Sequence, residues 1–172
     1  RHWQFVTNEH GRPELVAPPG PRTIGFNLSH THGLIACAIT STWDVGVDVE
    51  WVDRTLTHDI ADRFFAPREV EALRALPPDD QKRVFFDYWT LKEAYIKARG
   101  MGLALPLADF AFRFEAGKPR LEVDPELQDD GARWQFAQSW PTPAHRLAVA
   151  VRRAPGCDVE VRIENIVPEV PG

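Results

Sequence analysis

Cysteine is scarce in this chain. Only Cys37 and Cys157 occur in 172 residues, with no Cys-x-x-Cys pair, which argues against a thiolate zinc site. Long apolar runs are missing too. The longest, over 34–39, is far short of a membrane span, and no signal-peptide pattern opens the sequence. Positive charge is not in excess: 20 Lys and Arg against 25 Asp and Glu leave a net charge of −5, which speaks against a general nucleic-acid binder. No Walker-type loop and no kinase signature appears. These absences fit a cytoplasmic protein whose partners are neither membrane nor nucleic acid.

What is present is ordinary for a globular chain: 44% hydrophobic and 26% charged residues. The chain opens on Arg1, and its first stretch reads as the middle of a domain, so upstream residues are expected to be missing from it. Strands are expected over 3–6, 24–28, 34–40 and 45–51, with a polar turn at Ser29-His30-Thr31-His32-Gly33 and turns at Gly11, Pro13 and Pro18-Pro19-Gly20-Pro21. In 45–51 the residues Val45, Val47, Val49 and Trp51 alternate with Gly46, Asp48 and Glu50, the period-two pattern of a half-buried strand. The middle third predicts helices over 59–65 and 68–76, then a long one capped by Asp79 or Asp80 and stopped by Gly100. Its apolar face is read from Val84, Trp89 and Ile96, broadened by Tyr88, Leu91 and Tyr95. Further strands are expected over 110–115, 120–123, 133–140 and 145–152, with a turn at Pro141-Thr142-Pro143 and a last extended stretch at 157–166. Strands, then helices, then strands again predict an α+β fold.

Three acids carry the chemical signal. Asp48 and Glu50, two apart on a strand, project from one face. Glu93 lies in the long helix, with Lys97 one turn beyond on the same side. Converging carboxylates suit Mg²⁺, a hard cation that shares its shell with substrate phosphates. Taken alone, Asp48 and Glu50 also fit a solvent-facing polar stripe, and Glu93 and Lys97 an ordinary surface pair. Spacing does not separate these readings.

The combination does. Gly46-Val47-Asp48-Val49-Glu50 followed by Trp89-Thr90-Leu91-Lys92-Glu93-Ala94-Tyr95-Ile96-Lys97 resembles the two signature motifs of the 4′-phosphopantetheinyl transferase superfamily: a Gly-x-Asp strand and an aromatic-x-x-Lys-Glu-[small]-x-x-Lys helix. The resemblance continues through Gly100-Met101-Gly102-Leu103 and Leu105-Pro106-Leu107. Phe26-Asn27-Leu28-Ser29-His30-Thr31 is similar to the Asn-x-Ser-His segment of the Sfp-type branch, and Gly11-Arg12-Pro13 to its Gly-[Lys/Arg]-Pro loop. It covers about residues 3 to 115. Glu50, an acid two after Asp48, places the chain with the Sfp type and not with the short trimeric synthases.

The resemblance implies a 4′-phosphopantetheinyl transferase-like α+β fold: a monomer of two lobes in pseudo-twofold relation. The remainder of the first lobe falls in 1–50 and the second lobe in 51–172, the first lobe being incomplete at its N-terminus. It implies transfer of the phosphopantetheine arm of coenzyme A to a serine of an apo acyl or peptidyl carrier protein. Mg²⁺ is implied at Asp48, Glu50 and Glu93, with Glu93 as base and Lys97 stabilising the leaving group. Coenzyme A contacts are implied for Arg12 and Pro13 beside the adenine, for Ser29 and His30 on phosphates (His30 on the 3′-phosphate), and for Asp48, Lys92 and Lys97. Lys92 reads equally as the partner of a carboxylate, and Trp89 as core packing. Arg63, Arg68, Arg74, Lys82 and Arg83, with Phe64 and Phe65, border the carrier site in the family, or else form an ordinary helix exterior and core. The alternative function is a truncated, catalytically impaired relative that binds carrier proteins or nucleotides; another phosphoryl-transfer enzyme is the second rival.

Overall fold

The structure, a computed structural model, describes residues 4–8, 11–16, 24–41, 44–56, 59–102, 105–154 and 156–167. Strands Phe5–Thr7 (β1) and Pro13–Leu15 (β2) pair antiparallel, as do Gly25–Thr31 (β3) and Leu34–Thr40 (β4). Strand Val45–Trp51 (β5) leads to helices Ile60–Phe64 (α1), Pro67–Arg74 (α2) and Pro78–Arg99 (α3). Two more antiparallel pairs follow: Phe110–Glu115 (β6) with Lys118–Val123 (β7), and Trp134–Thr142 (β8) with His145–Arg152 (β9). The chain closes on itself here. β5 pairs with β9, giving a three-stranded sheet in the order β5-β9-β8. The α+β expectation holds. The Pro18–Pro21 turn, Trp3 and Leu103 lie outside the described residues.

Helix α3 is the centre of the molecule. A helix with one apolar stripe lies on a surface, whereas one with apolar residues on most sides is enclosed. From Phe85 to Ala98 the buried residues of α3 include Phe85, Phe86, Tyr88, Leu91, Ala94, Tyr95, Ile96 and Ala98. The single face expected from the sequence is therefore a nearly complete wrap, built by Phe65, Val70 and Leu73 on one side and Phe110, Phe112, Trp134, Ala148 and Ala150 on others. Pro77, not Asp79 or Asp80, precedes the first turn, and the two acids sit inside that turn near its positive end. Gly100 ends the helix at φ 67°, the left-handed value a C-terminal glycine supplies.

The floor under α3 is made of very small residues. Gly46 lies opposite Ala150 and Asp48 opposite Ala148 in the β5–β9 register, and both alanines are fully buried. A Cβ on Gly46 would overlap the Ala94 carbonyl oxygen and lie 2.5 Å from the Ala98 amide nitrogen, both backbone atoms that cannot rotate away. The glycine of the strand motif thus lets β5 and α3 approach until Asp48 meets the helix. Gly46→Ala is expected to cost about 1–3 kcal/mol by overpacking. The measurement is the thermal unfolding midpoint of the variant, and an unchanged midpoint would contradict the close approach.

β3 joins β5 by side chains, not by a backbone ladder. Val47 N donates to Asn27 Oδ1 (2.9 Å), Val49 N to Ser29 Oγ (3.3 Å) and Trp51 N to Thr31 Oγ1 (3.2 Å). The outer face of β5 supplies Val47 and Val49, which pack with Ala36 and Leu147 in a second, smaller core.

Candidate active site

The turn expected at Ser29–Gly33 is shorter than its polar residues suggest. β3 runs on through Thr31, which pairs with Leu34, and only His32 and Gly33 form the bend. Gly33 at φ 75° supplies the left-handed backbone such a two-residue hairpin favours. This corrects the placement of Ser29 and His30. On a strand they point to opposite faces: Ser29 is buried against β5, and His30 is exposed beside its register partner Ile35.

Asp48 stands at the middle of the site, 3% exposed. Its Oδ1 accepts from Lys97 Nζ at 2.7 Å and from Ser29 Oγ at 3.0 Å, and Lys97 Nζ also donates to Ser29 Oγ at 2.9 Å. Its Oδ2 is buried with no hydrogen-bond partner. Glu50, two residues on, turns the same way. The Trp89 indole N–H donates to its Oε1 at 2.9 Å. The Arg54 guanidinium lies 3.3 Å from Oε2, an ion contact too poorly angled for a hydrogen bond. Burial and the neighbouring Asp48 raise the pKa of Glu50 above its ordinary value, against the opposing pull of Arg54, Trp89 and Lys97.

Glu93 is half-buried on α3, between the turns carrying Trp89 and Lys97. Burial pushes its pKa up to about 7, the Asp48 and Glu50 charges push the same way, and Lys97 opposes them. The three acids therefore feel one another's charge across the β5–α3 contact. They do not form a closed cage: among the described residues no three His, Cys, Asp or Glu side chains are already drawn together as metal ligands. Asp48 is held by Lys97 and Ser29, Glu50 by Trp89 and Arg54. The donor set still fits a hard divalent cation. It is all carboxylate oxygen, and the buried Asp48 Oδ2 lacks the partner that a buried acceptor normally finds.

Lys92 is the clear correction among the expected ligand contacts. It faces the core, fully buried, with Nζ 2.7 Å from Glu69 Oε2, from Leu107 O and from Phe110 O. Those contacts use all three ammonium protons, so none is left for a phosphate. Glu69 in turn accepts from Ala66 N (2.9 Å) and Phe112 N (2.7 Å). Burial lowers the Lys92 pKa to about 8 and raises that of Glu69. The pair ties α2, α3 and β6 together. Arg12 is likewise engaged with backbone, donating to Lys97 O (3.3 Å) and Ala98 O (3.1 Å) at the negative end of α3, and to Val45 O (3.5 Å). Pro13 is exposed at the start of β2.

Several site residues escaped the sequence. Trp89 does pack, against Phe85 and Phe64, but it also fixes Glu50. An indole has one polar atom that seeks a partner when buried, and that was the available signal. Gly46 and Asn27 stand in the quoted motifs without their roles being visible there, and Thr31 and Arg54 gave no signal on their own.

A profile described as the 4′-phosphopantetheinyl transferase superfamily matches residues 44–151, the stretch that carries Asp48, Glu93 and the sheet beneath α3. The chain belongs to this superfamily. It is 42% identical over 102 residues to the 4′-phosphopantetheinyl transferase HetI of Nostoc sp., covering 59% of this chain and 43% of that one. A 4′-phosphopantetheinyl transferase of Bacillus subtilis is 37% identical over 155 residues, 90% of this chain and 65% of the relative. The Sfp transferase of B. subtilis strain 168 is 32% identical over 146 residues, 85% and 62% respectively. The chain thus spans between 43% and 65% of the length of these relatives. Among solved structures, the holo-[acyl-carrier-protein] synthase of Thermotoga maritima superposes with a TM-score of 0.53 at 25% identity, over 64% of this chain and 62% of that one. A Bacillus anthracis holo-(acyl-carrier-protein) synthase, solved in complex with CoA (3′,5′-ADP), superposes with a TM-score of 0.54 at 20% identity, over 64% of this chain and 96% of that one. The family's fold is thereby that of this chain.

Proposed function

We propose that this chain transfers the 4′-phosphopantetheine arm of coenzyme A to a serine of an apo carrier protein, releasing 3′,5′-ADP. The observation that carries the reading is the buried Asp48 carboxylate, one oxygen unpartnered and the other held by Lys97, with Glu50 and Glu93 near enough to feel its charge. The names of the family's curated members support it, as does the CoA complex of the B. anthracis synthase.

The serine must attack the β-phosphorus of an anionic diphosphate. A bond forms between the serine oxygen and that phosphorus, and the bond from the phosphorus to the bridging oxygen breaks, leaving 3′,5′-ADP. The serine proton passes to Glu93, the carboxylate that α3 presents beside Lys97. Mg²⁺ held by Asp48, Glu50 and Glu93 would supply charge neutralisation and Lewis acidity at the diphosphate. Ser29 and Trp89 keep the first two of those carboxylates in place, and Lys97 offers an ammonium to the departing phosphate. Arg12 and Pro13 stay assigned to the adenine side and the exposed His30 to the 3′-phosphate, on the strength of the family resemblance. The proposal includes a monomer of two lobes divided after Glu50, acting in the cytoplasm. The carrier docks at the basic residues Arg63, Arg68, Arg74, Lys82 and Arg83.

The test is a mass measurement on an apo carrier protein incubated with the chain, coenzyme A and Mg²⁺. A gain of about 340 Da that disappears with EDTA is expected. No gain with any carrier would favour a binding module instead. Release of ADP in place of 3′,5′-ADP would point to a different phosphoryl transfer.

A further inference from the structure

One ion pair occupies the spot where the proposed chemistry needs an open carboxylate. Lys97 Nζ sits 2.7 Å from Asp48 Oδ1 and 2.9 Å from Ser29 Oγ, which itself donates to the same carboxylate oxygen. Asp48 is almost wholly enclosed, its side chain 5% exposed, whereas that of Lys97 is 27% exposed. Lys97 is thus the partner that reaches solvent, on a flexible four-carbon stem. A divalent cation that settled on Asp48 Oδ2 would lie within a few ångströms of this ammonium, and like charges in a partly desolvated site repel strongly.

We propose that Lys97 acts as an internal competitor for the metal, so that Asp48 admits a divalent cation effectively only together with a diphosphate. The incoming phosphate supplies what neither cation can supply to the other: negative charge. It draws Lys97 off Asp48, and the freed Oδ1 joins Oδ2 in facing the metal. Lys97 then has two successive partners, the carboxylate before the ligand arrives and the phosphate after it. Glu93 and Glu50 both feel the charges of Asp48 and Lys97, and Glu50 is already balanced by Arg54. The inference rests on the proposed metal-dependent transfer and adds an order of events to it.

The consequence is a reversal of sign that an ordinary phosphate-binding lysine would not produce. Mn²⁺ binding is followed by the electron paramagnetic resonance signal of the free ion, with Mn²⁺ as the only added ligand or with coenzyme A present. Without coenzyme A, Lys97→Met is expected to bind Mn²⁺ about tenfold more tightly than wild type, because the competing charge is gone. With coenzyme A the ranking inverts, and wild type binds the ion more tightly. Lys97→Arg, which keeps the charge, should follow wild type in the first experiment. If Lys97→Met does not fold, Lys97→Gln, which retains a neutral donor to Asp48, carries the same comparison. Equal or weaker Mn²⁺ binding by the neutral variants in the absence of coenzyme A overturns the competitor role while leaving the metal reading intact. Absence of Mn²⁺ binding by wild type even with coenzyme A overturns both.

Discussion

Glu93→Gln is expected to lower the rate of carrier modification by about 10²–10⁴-fold, the usual contribution of a positioned general base, while making the metal-free protein more stable at pH 8. The stability effect has an electrostatic origin. In the folded chain Glu93 holds its proton up to about pH 7, against an ordinary value of 4.5, because burial and the charges of Asp48 and Glu50 disfavour the anion more than Lys97 favours it. A carboxyl whose folded pKa is raised binds more protons folded than unfolded in that window. Stability therefore falls as the pH climbs from about 4.5 to about 7, and the full penalty persists above it. Glutamine never ionises, so the variant should lose this slope. Denaturant titrations in EDTA at pH 5 and pH 8, compared with wild type, read the stability effect, and the carrier mass assay reads the rate. Unchanged turnover at saturating Mg²⁺ would remove Glu93 from both of its proposed roles, as base and as metal ligand. Lost turnover with the wild-type pH slope intact would mean that the acid is not buried as described.

The second large effect is expected at the Lys92–Glu69 pair, remote from the open side of the site. Lys92→Met leaves the Glu69 carboxylate fully buried with two backbone donors but no countercharge. Breaking a buried pair by removing one partner typically costs about 3–5 kcal/mol. That is a large share of the total stability of a domain this size. The double variant Lys92→Met, Glu69→Gln should recover part of the loss, because no buried charge then stands alone. Urea unfolding of the single and double variants measures both. A single variant as stable as wild type would show that Lys92 is not enclosed. Glu93 is the next residue along α3. A helix that shifted when this anchor was lost would carry Glu93 away from Asp48, so loss of activity in the single variant is no sign that Lys92 touches the substrate.

Much of the frame was visible in the residues themselves. The alternation of valine with Gly46, Asp48 and Glu50 marks β5 from end to end, although the strand is buried on both faces and not half-buried as the pattern suggests, because α3 covers the Gly46–Asp48 side. Gly100 marks the end of α3 for an equally local reason. The site's acids could be named by their motifs, and the superfamily match covers the stretch that holds them. The misreadings share a cause. Ser29, His30 and Thr31 have turn-like composition, yet two of them are strand residues whose hydroxyls replace a missing backbone ladder to β5, a use visible only once β5 lies alongside. Lys92 reads equally as a phosphate contact and as the partner of a carboxylate, and only the closing of α2 and β6 over it decides for the carboxylate of Glu69. α3 shows no single apolar stripe because its neighbours surround it. Local pattern identifies elements. What encloses a charge is decided by residues far along the chain.

The hydroxyl of Ser29 has two employers. It accepts the Val49 amide, one of three joints that fasten β3 to β5, and it steadies the carboxylate of Asp48. Mechanical cohesion of the sheet and the electrostatic setting of the reactive centre therefore depend on the same oxygen atom. Neither can be adjusted here without disturbing the other, so selection for a sturdier seam and selection for a differently charged centre must find their freedom at Asn27, Thr31 or Trp89 instead.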